Sequence, residues 1–193
     1  MSTPSHPVST ITRYGATKFC EWLTEKEHAM GQLPREAHYD LPTDTEWSRL
    51  AGLSHEVGDW PEERHFNAPD RLPWEGNPND FSHHGNYYTV SSADASNQFF
   101  GKKDRFHRTA PVGQFKPNMH GLYDVGGNVM EWVSSEYRPL PTPARNKQFT
   151  LRGGGWRSLH PDQMRIGHRV NPPAGLLESG FRCVIRNWPE RDK

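Results

Sequence analysis

The stretch Gly121-Leu122-Tyr123-Asp124-Val125-Gly126-Gly127-Asn128-Val129-Met130-Glu131-Trp132 decides how the rest of the chain is read. Its glycines rule out a regular helix, since each interior glycine costs about 1 kcal/mol relative to alanine. They argue against an ordinary strand too, because a glycine leaves nothing to pack there. They mark a backbone that turns tightly or passes close to another group. Leu122, Tyr123, Val129, Met130 and Trp132 set that turn on a core. Asp124 and Glu131, with the carbonyls between them, are hard oxygen donors on one short loop, the ligand type that calcium takes. The competing reading is a buried turn whose polar side chains only satisfy backbone donors.

The 193 residues around this stretch fit one domain. Lys and Arg number 23 against 23 Asp and Glu, which leaves no electrostatic footprint for nucleic acid or an anionic membrane. A mean hydropathy of −0.93 excludes a membrane-spanning run. The opening Met1-Ser2-Thr3-Pro4-Ser5-His6-Pro7 lacks the charged and apolar regions of a signal peptide, so the default location is cytoplasmic. Seventeen Gly, seventeen Pro and seven Trp predict a loop-rich domain in which aromatics fill much of the core. Eleven His are present without metal-ligand spacing. Cys20 and Cys183 make no CxxC. If they meet in an oxidising compartment, a bridge contributes roughly 3–5 kcal/mol; in a reducing one they act as small hydrophobes.

Residues 1–6 read as a polar lead-in, 7–187 as the domain and 188–193 as a tail. His6-Pro7-Val8 is a candidate strand start. Ala16, Phe19, Cys20 and Leu23, broadened by Trp22, give helical spacing over residues 14–30, ended by Gly31 and Pro34. His38-Tyr39-Asp40-Leu41-Pro42 is extended, as residues before proline are. Thr43 and Glu46 form a capping box for a second helix that buries Trp47, Leu50 and Ala51 and stops at Gly52. Residues 53–97 read as a long loop pinned by Trp60, Phe66 and Trp74, with a solvated charged run over 56–70 and exposed His83 and His84. Residues 86–90, 110–113, 149–152 and 180–186 read as strands. Helices early and short antiparallel strands late make an α+β domain, loop-rich and with two helices.

In order, Ala16-Thr17-Lys18-Phe19-Cys20-Glu21-Trp22-Leu23, Leu41-Pro42-Thr43-Asp44-Thr45-Glu46-Trp47, Pro73-Trp74-Glu75-Gly76, Ala110-Pro111-Val112-Gly113, residues 121–132, Arg152-Gly153-Gly154-Gly155-Trp156-Arg157 and Gly180-Phe181-Arg182 resemble the formylglycine-generating enzyme, or sulfatase-modifying factor, domain family. The resemblance implies a variant of the C-type lectin-like fold. It is less specific for activity, because that family mixes oxidases, partners of iron enzymes, kinase-fused domains and hypervariable ligand binders. Family members carry further N-terminal strands. The match here covers roughly the C-terminal two-thirds of such a domain, which implies a missing N-terminal segment or a completing partner chain, since bare sheet edges are a liability.

The resemblance also implies site residues. One calcium site would use Asp124, the carbonyls of Gly127 and Val129, and Glu131; a second would use Asn86, the carbonyl of Tyr87, Asp104 and the carbonyl of Phe106. Cys20 and Cys183 match positions that pair as a disulfide in secreted members. The oxidases of the family hold copper on two cysteines, and the matching positions here are Ser158 and Gln163. Neither is a thiol, and Cu(I) takes thiolate or thioether ligands, of which the segment has Met164 alone. Copper and oxidase catalysis are therefore not expected, and no catalytic residue is assigned. The implied function is a calcium-braced, non-catalytic module that binds a protein or peptide through the segment after Trp156. Trp156, His160, Arg165, His168 and Asn171 would supply the contacts. The alternatives are a divergent oxidase of the formylglycine-generating type, or an accessory domain of a larger enzyme or kinase.

Overall fold

The computed structural model describes residues 5–75, 77, 80–87, 106–138 and 147–189. Helix α1 spans Arg13–Ala29 and is started by Thr12, whose hydroxyl accepts the Gly15 N–H at 3.1 Å. Lys26 sits in its last turn, where a cation complements the helix dipole. Ala16 and Cys20, one turn apart, are its buried residues. Phe19 and Trp22, expected inside, lie 41% and 50% exposed. Small residues face the core, and the two aromatics pack on each other at 5.4 Å instead.

Strand β1 (His38–Asp40) leads into helix α2 (Asp44–Leu50). Both arms of the expected capping box are made: Thr43 Oγ1 accepts from Glu46 N, and Glu46 accepts from Thr43 N at 2.8 Å. Trp47 and Ala51 are buried as expected, Leu50 is only half-buried, and Asp44 and Ser48 join the interior. Residues 53–75 and 80–87 are more regular than a loop. Helix α3 (Pro61–Asn67) starts with a proline, whose missing N–H is no loss in a first turn, and α4 covers Phe81–His84.

Among the described residues four strands form the main sheet, in the order β4-β3-β2-β5. They are β2 (Met130–Glu136), β3 (Phe149–Arg152), β4 (Arg169–Val170) and β5 (Ser179–Gly180). β3 is antiparallel to β2 and β4, whereas β5 runs parallel to β2. A second sheet pairs β1 with β6 (Val184–Arg186), antiparallel. The expected strand over 180–186 is thus split, because its ends serve different sheets. Residues 6–8 and 110–113 are not strands. Ala110 instead exchanges two hydrogen bonds with the Asn128 side chain, N–H to Oδ1 at 2.8 Å and Nδ2 to carbonyl at 3.1 Å, which replaces a ladder. In the 86–90 stretch, Asn86 and Tyr87 are not in a strand, and residues 88–90 lie outside the described ones.

Ala16, Cys20, Leu41, Met130, Trp132 and Leu151 fill the space between α1 and the sheets. Trp47, Ala51, Leu53, Val125, Val133 and Ile166 form a second cluster, and Phe81, Tyr87 and Met164 a third. Beside Trp47 lies a buried ionic cluster. Arg169 donates to both oxygens of Asp44 at 2.9 Å and to Glu56 at 2.7 and 2.8 Å. Arg152 donates to Asp44, to Ser48 and to the Ile166 carbonyl. Glu56, expected on a solvated run, is therefore an interior residue. From the same run Arg64 reaches Asp44 at 3.1 Å, whereas Asp59, Glu63 and Asp70 stay exposed.

Candidate functional site

The 121–132 stretch and the triple glycine meet at the heart of the domain. Gly153 has φ +73°, and a Cβ there would stand 2.9 Å from the Val125 carbonyl and 3.2 Å from the Trp47 ring. Gly154 accepts the same closeness to the Gly126 carbonyl, at 3.0 Å, and donates its N–H to it at 3.2 Å. The Trp156 N–H donates to the Asn128 carbonyl at 2.9 Å. The first glycine-rich turn thus fixes where the segment after Trp156 leaves the core.

Ser158 and Gln163 are both built into that segment's own turn. Ser158 Oγ is buried and accepts the Gly155 N–H at 2.9 Å. Gln163 Oε1 accepts from Leu159 N at 2.7 Å and His160 N at 3.1 Å, capping the 3₁₀ turn Pro161–Met164. Met164 is fully buried against Phe81 and Tyr87 and offers no thioether to the surface.

The residues expected to hold a ligand do not form one surface. His160 is exposed and Trp156 half-buried. Arg165 is tied to Asp70 and Asp162, each at 2.8 Å. Asn171 donates to Gln148 at 2.8 Å. His168 turns toward His65, with ring centroids 6.0 Å apart. Burial, with the neighbouring His65 and Arg152, pushes its pKa down to about 4, so it is a neutral ring at pH 7. Two residues absent from the expected set stand beside Trp156. The Arg157 guanidinium lies 5.8 Å from the Trp156 ring centroid and its Nε 3.8 Å from Glu178 Oε2. Glu178 gets there because its carbonyl accepts the Met130 N–H at 2.8 Å, next to the parallel β2–β5 pairing. No local pattern announces it, since its neighbours come from other parts of the domain.

The oxygen donors fall into two groups. Asp124, at φ +58°, accepts the Gly113 N–H on Oδ2 at 2.9 Å. Its Oδ1 is buried and has no hydrogen-bond partner among the described residues. Burial raises its pKa, with Glu131 adding to the effect and the Gly113 N–H and Arg182 opposing it. Asn86 Oδ1 is likewise buried without a partner among the described residues, while its Nδ2 donates to the Arg108 carbonyl. Orphaned buried oxygens are what an oxygen-seeking cation would satisfy, so Asp124 and Asn86 fit the ligand roles assigned to them. Glu131 is differently placed: Trp47 Nε1 donates to Oε2 at 2.7 Å, and Arg182 reaches both oxygens, at 2.6 and 2.5 Å. The Gly127 carbonyl accepts the Val129 N–H at 2.9 Å. Asp124, Val129, Glu131 and Arg182 line an open cavity of about 370 Å³, shared with Tyr123 and Phe181. Among the described residues no three His, Cys, Asp or Glu side chains converge on one metal position. Tyr87 and Phe106 are described, and Asp104 lies outside the described residues.

Cys20 on α1 and Cys183 in the segment before β6 are free thiols whose sulfurs approach to 3.5 Å.

Comparison with known proteins agrees with this architecture. Formylglycine-generating enzyme of Streptomyces coelicolor is 28% identical over 198 residues, covering 94% of this chain and 53% of its own length. Serine/threonine-protein kinase pkn1 of Chlamydia pneumoniae is 28% identical over 193 residues, with 93% of this chain and 24% of the kinase covered. An inactive C-alpha-formylglycine-generating enzyme 2 of Mus musculus is 37% identical over 89 residues, 42% of this chain and 28% of its own length. The chain thus spans about a quarter to a half of these relatives. Among solved structures, PvdO from Pseudomonas aeruginosa superposes with a TM-score of 0.61 at 22% identity, over 96% of this chain and 64% of that one. Treponema denticola variable protein 1 does so with a TM-score of 0.63 at 23% identity, over 94% and 72%. These likenesses support the α+β, C-type lectin-like fold. The profile of the sulfatase-modifying factor enzyme 1-like domain matches residues 1–187, and the chain belongs to that family, the family of the formylglycine-generating enzymes.

Proposed function

We propose that this chain is a non-catalytic member of its family, a calcium-braced domain that binds a protein or peptide through the turn that follows Trp156. The observation that carries the reading is the state of the two positions matching the copper-binding thiols. Ser158 and Gln163 hold a hydroxyl and an amide, and both are consumed in backbone hydrogen bonds of their own turn. The chain's thiols, Cys20 and Cys183, face each other elsewhere. An inactive relative among the mammalian proteins is consistent with a scaffold kept without chemistry. The orphaned oxygens of Asp124 and Asn86 support calcium as the brace. Exposed His160 and the Arg165 side chain on the same turn support a binding role there.

Two measurements test this. Cu(I) titration under reducing conditions, with an oxygen electrode, should find neither stoichiometric copper nor oxygen consumption with a thiol substrate. Tight one-to-one Cu(I) binding would overturn the non-catalytic reading. A random hexapeptide pool should shift NMR signals of residues 156–165, and His160→Ala and Arg165→Ala should weaken that binding at least fivefold; unchanged affinity would discard the surface.

A second reading, an accessory domain within a larger kinase, is favoured by the pkn1 relatives, of which the chain spans 24%. It is compatible with the first, since a kinase-linked domain of this kind would recruit a partner. A divergent oxidase is the remaining alternative, and the copper titration decides it.

A further inference from the structure

Several arginines of this domain, buried or at the surface, are docked at full hydrogen-bond contact. Arg169 meets Asp44 at 2.9 Å, Arg182 meets Glu131 at 2.5 Å, and Arg165 meets Asp70 and Asp162 at 2.8 Å. Arg157 is the exception beside Trp156. Its Nε stays 3.8 Å from Glu178 Oε2, beyond hydrogen-bond length, and its guanidinium sits 5.8 Å from the indole centroid, at the outer limit of a cation–π contact. Half of its side chain, 52%, is exposed, against 14% of that of Glu178.

Each of the two residues that this loosely held cation faces carries an unsatisfied polar atom. Glu178 Oε2 and Trp156 Nε1 are both buried and lack a hydrogen-bond partner among the described residues. Leaving a buried polar atom unpaired is costly, and here the two are complementary: an acceptor that wants a donor and a donor that wants an acceptor. Gly155 admits Glu178, since a Cβ there would stand 2.9 Å from Glu178 Cγ, and the backbone N–H of Trp156 donates to the Asn128 carbonyl.

We infer that the Trp156 ring and the Glu178 carboxylate form a socket for a basic side chain of the bound peptide, and that Arg157 is a displaceable resident cation occupying it in the free domain. A ligand ammonium or guanidinium would close on the Glu178 carboxylate and lie over the indole. This deepens the proposed function and rests on it.

The test uses the whole chain, with N-acetyl-arginine amide as probe and its uncharged analogue N-acetyl-citrulline amide as control, read by the Trp156 indole N–H signal in NMR. The arginine probe should shift that signal and the citrulline probe should not. Arg157→Ala should bind the arginine probe at least fivefold tighter, because the resident competitor is gone. Glu178→Gln should lose most of the binding. Circular dichroism checks the fold of each variant, and because Arg157 is half-exposed, its variant decides the matter even if Glu178→Gln fails to fold. Equal shifts with citrulline, or affinity that falls in Arg157→Ala, would overturn the socket. In that event the hexapeptide experiment separates the two ideas. Binding to residues 156–165 that is indifferent to charge removes the socket alone, and absence of any peptide binding removes the binding role with it.

Discussion

Burial beside His65 and Arg152 holds the His168 imidazole at about 4, against an ordinary 6.5. Between those values the unfolded chain takes up a proton that the folded chain refuses, so stability is full above pH 6.5 and falls as pH drops toward 4. The loss at the bottom of that window is on the order of 2–3 kcal/mol. His65 and His84 are pushed down by burial as well and contribute in the same direction. Urea midpoints between pH 7 and 4.5 should therefore decline for the wild type and decline less for His168→Gln. Identical slopes would show that the ring is not the sensor. At the same scale, calcium at a hundredfold over its dissociation constant would stabilise by about 2.7 kcal/mol. Asp124→Asn should abolish most of the calcium-dependent rise in melting temperature. Arg182→Ala should enlarge it, because Arg182 occupies the Glu131 oxygens a cation would need. A melting temperature indifferent to calcium and chelator would reduce the 121–132 turn to a plain structural one.

Helix α2 separates what a local pattern can tell from what it cannot. Its capping box needs only residues 43 to 46 and is legible in the residue types alone; Thr43→Ala should cost about 1 kcal/mol. The triple glycine is legible for the same reason, since the need for close approach is written in the residue type. Asp44, one position into the same helix, looks in sequence like a first-turn acid complementing the helix dipole. In the fold it is the centre of a buried cluster with Arg152, Arg169 and Arg64, partners that lie 108, 125 and 20 residues away. Periodicity reports burial of apolar residues and is silent on charges that are buried because they are paired. Burial alone would raise the Asp44 pKa, but Arg152 and Arg169 outweigh it and hold the carboxyl at about 2. The stability that this group lends is present above pH 4 and lost as pH falls through 2. Arg169→Met, which leaves Asp44 and Glu56 short of their partner, should cost roughly 3–5 kcal/mol in urea denaturation, more than any surface charge. A cost below about 1 kcal/mol would mean that the cluster is solvated in solution.

Across the whole molecule, the order of motifs carries the fold, while the path between them depends on contacts that no local pattern records. The proposed ligand surface is the least legible part. Position after Trp156 suggests its contact residues, yet His168 faces inward and Asn171 is spent on Gln148, while Glu178 arrives beside β5. Long-range closure is also where the thiols act. Cys20 on α1 and Cys183 before β6 are 163 residues apart in sequence and 3.5 Å apart at sulfur. They set the first helix against the segment before the last strand, beside a core that includes Leu41, Met130, Trp132 and Leu151. Oxidised glutathione can accept the two electrons as the two thiolates join, releasing two reduced glutathiones. The resulting bridge would restrict the unfolded chain over almost its full length, a gain of up to about 5 kcal/mol on the chain-entropy estimate. Mass spectrometry should show an intramolecular bridge in the oxidised monomer, and its melting temperature should exceed that of the reduced protein by several degrees. Cys20→Ser should remove the difference while leaving the reduced fold in place. Oxidation that yields mixed disulfides or dimers instead would mean that the two sulfurs do not stay in contact in solution, and that α1 moves independently of the β6 segment.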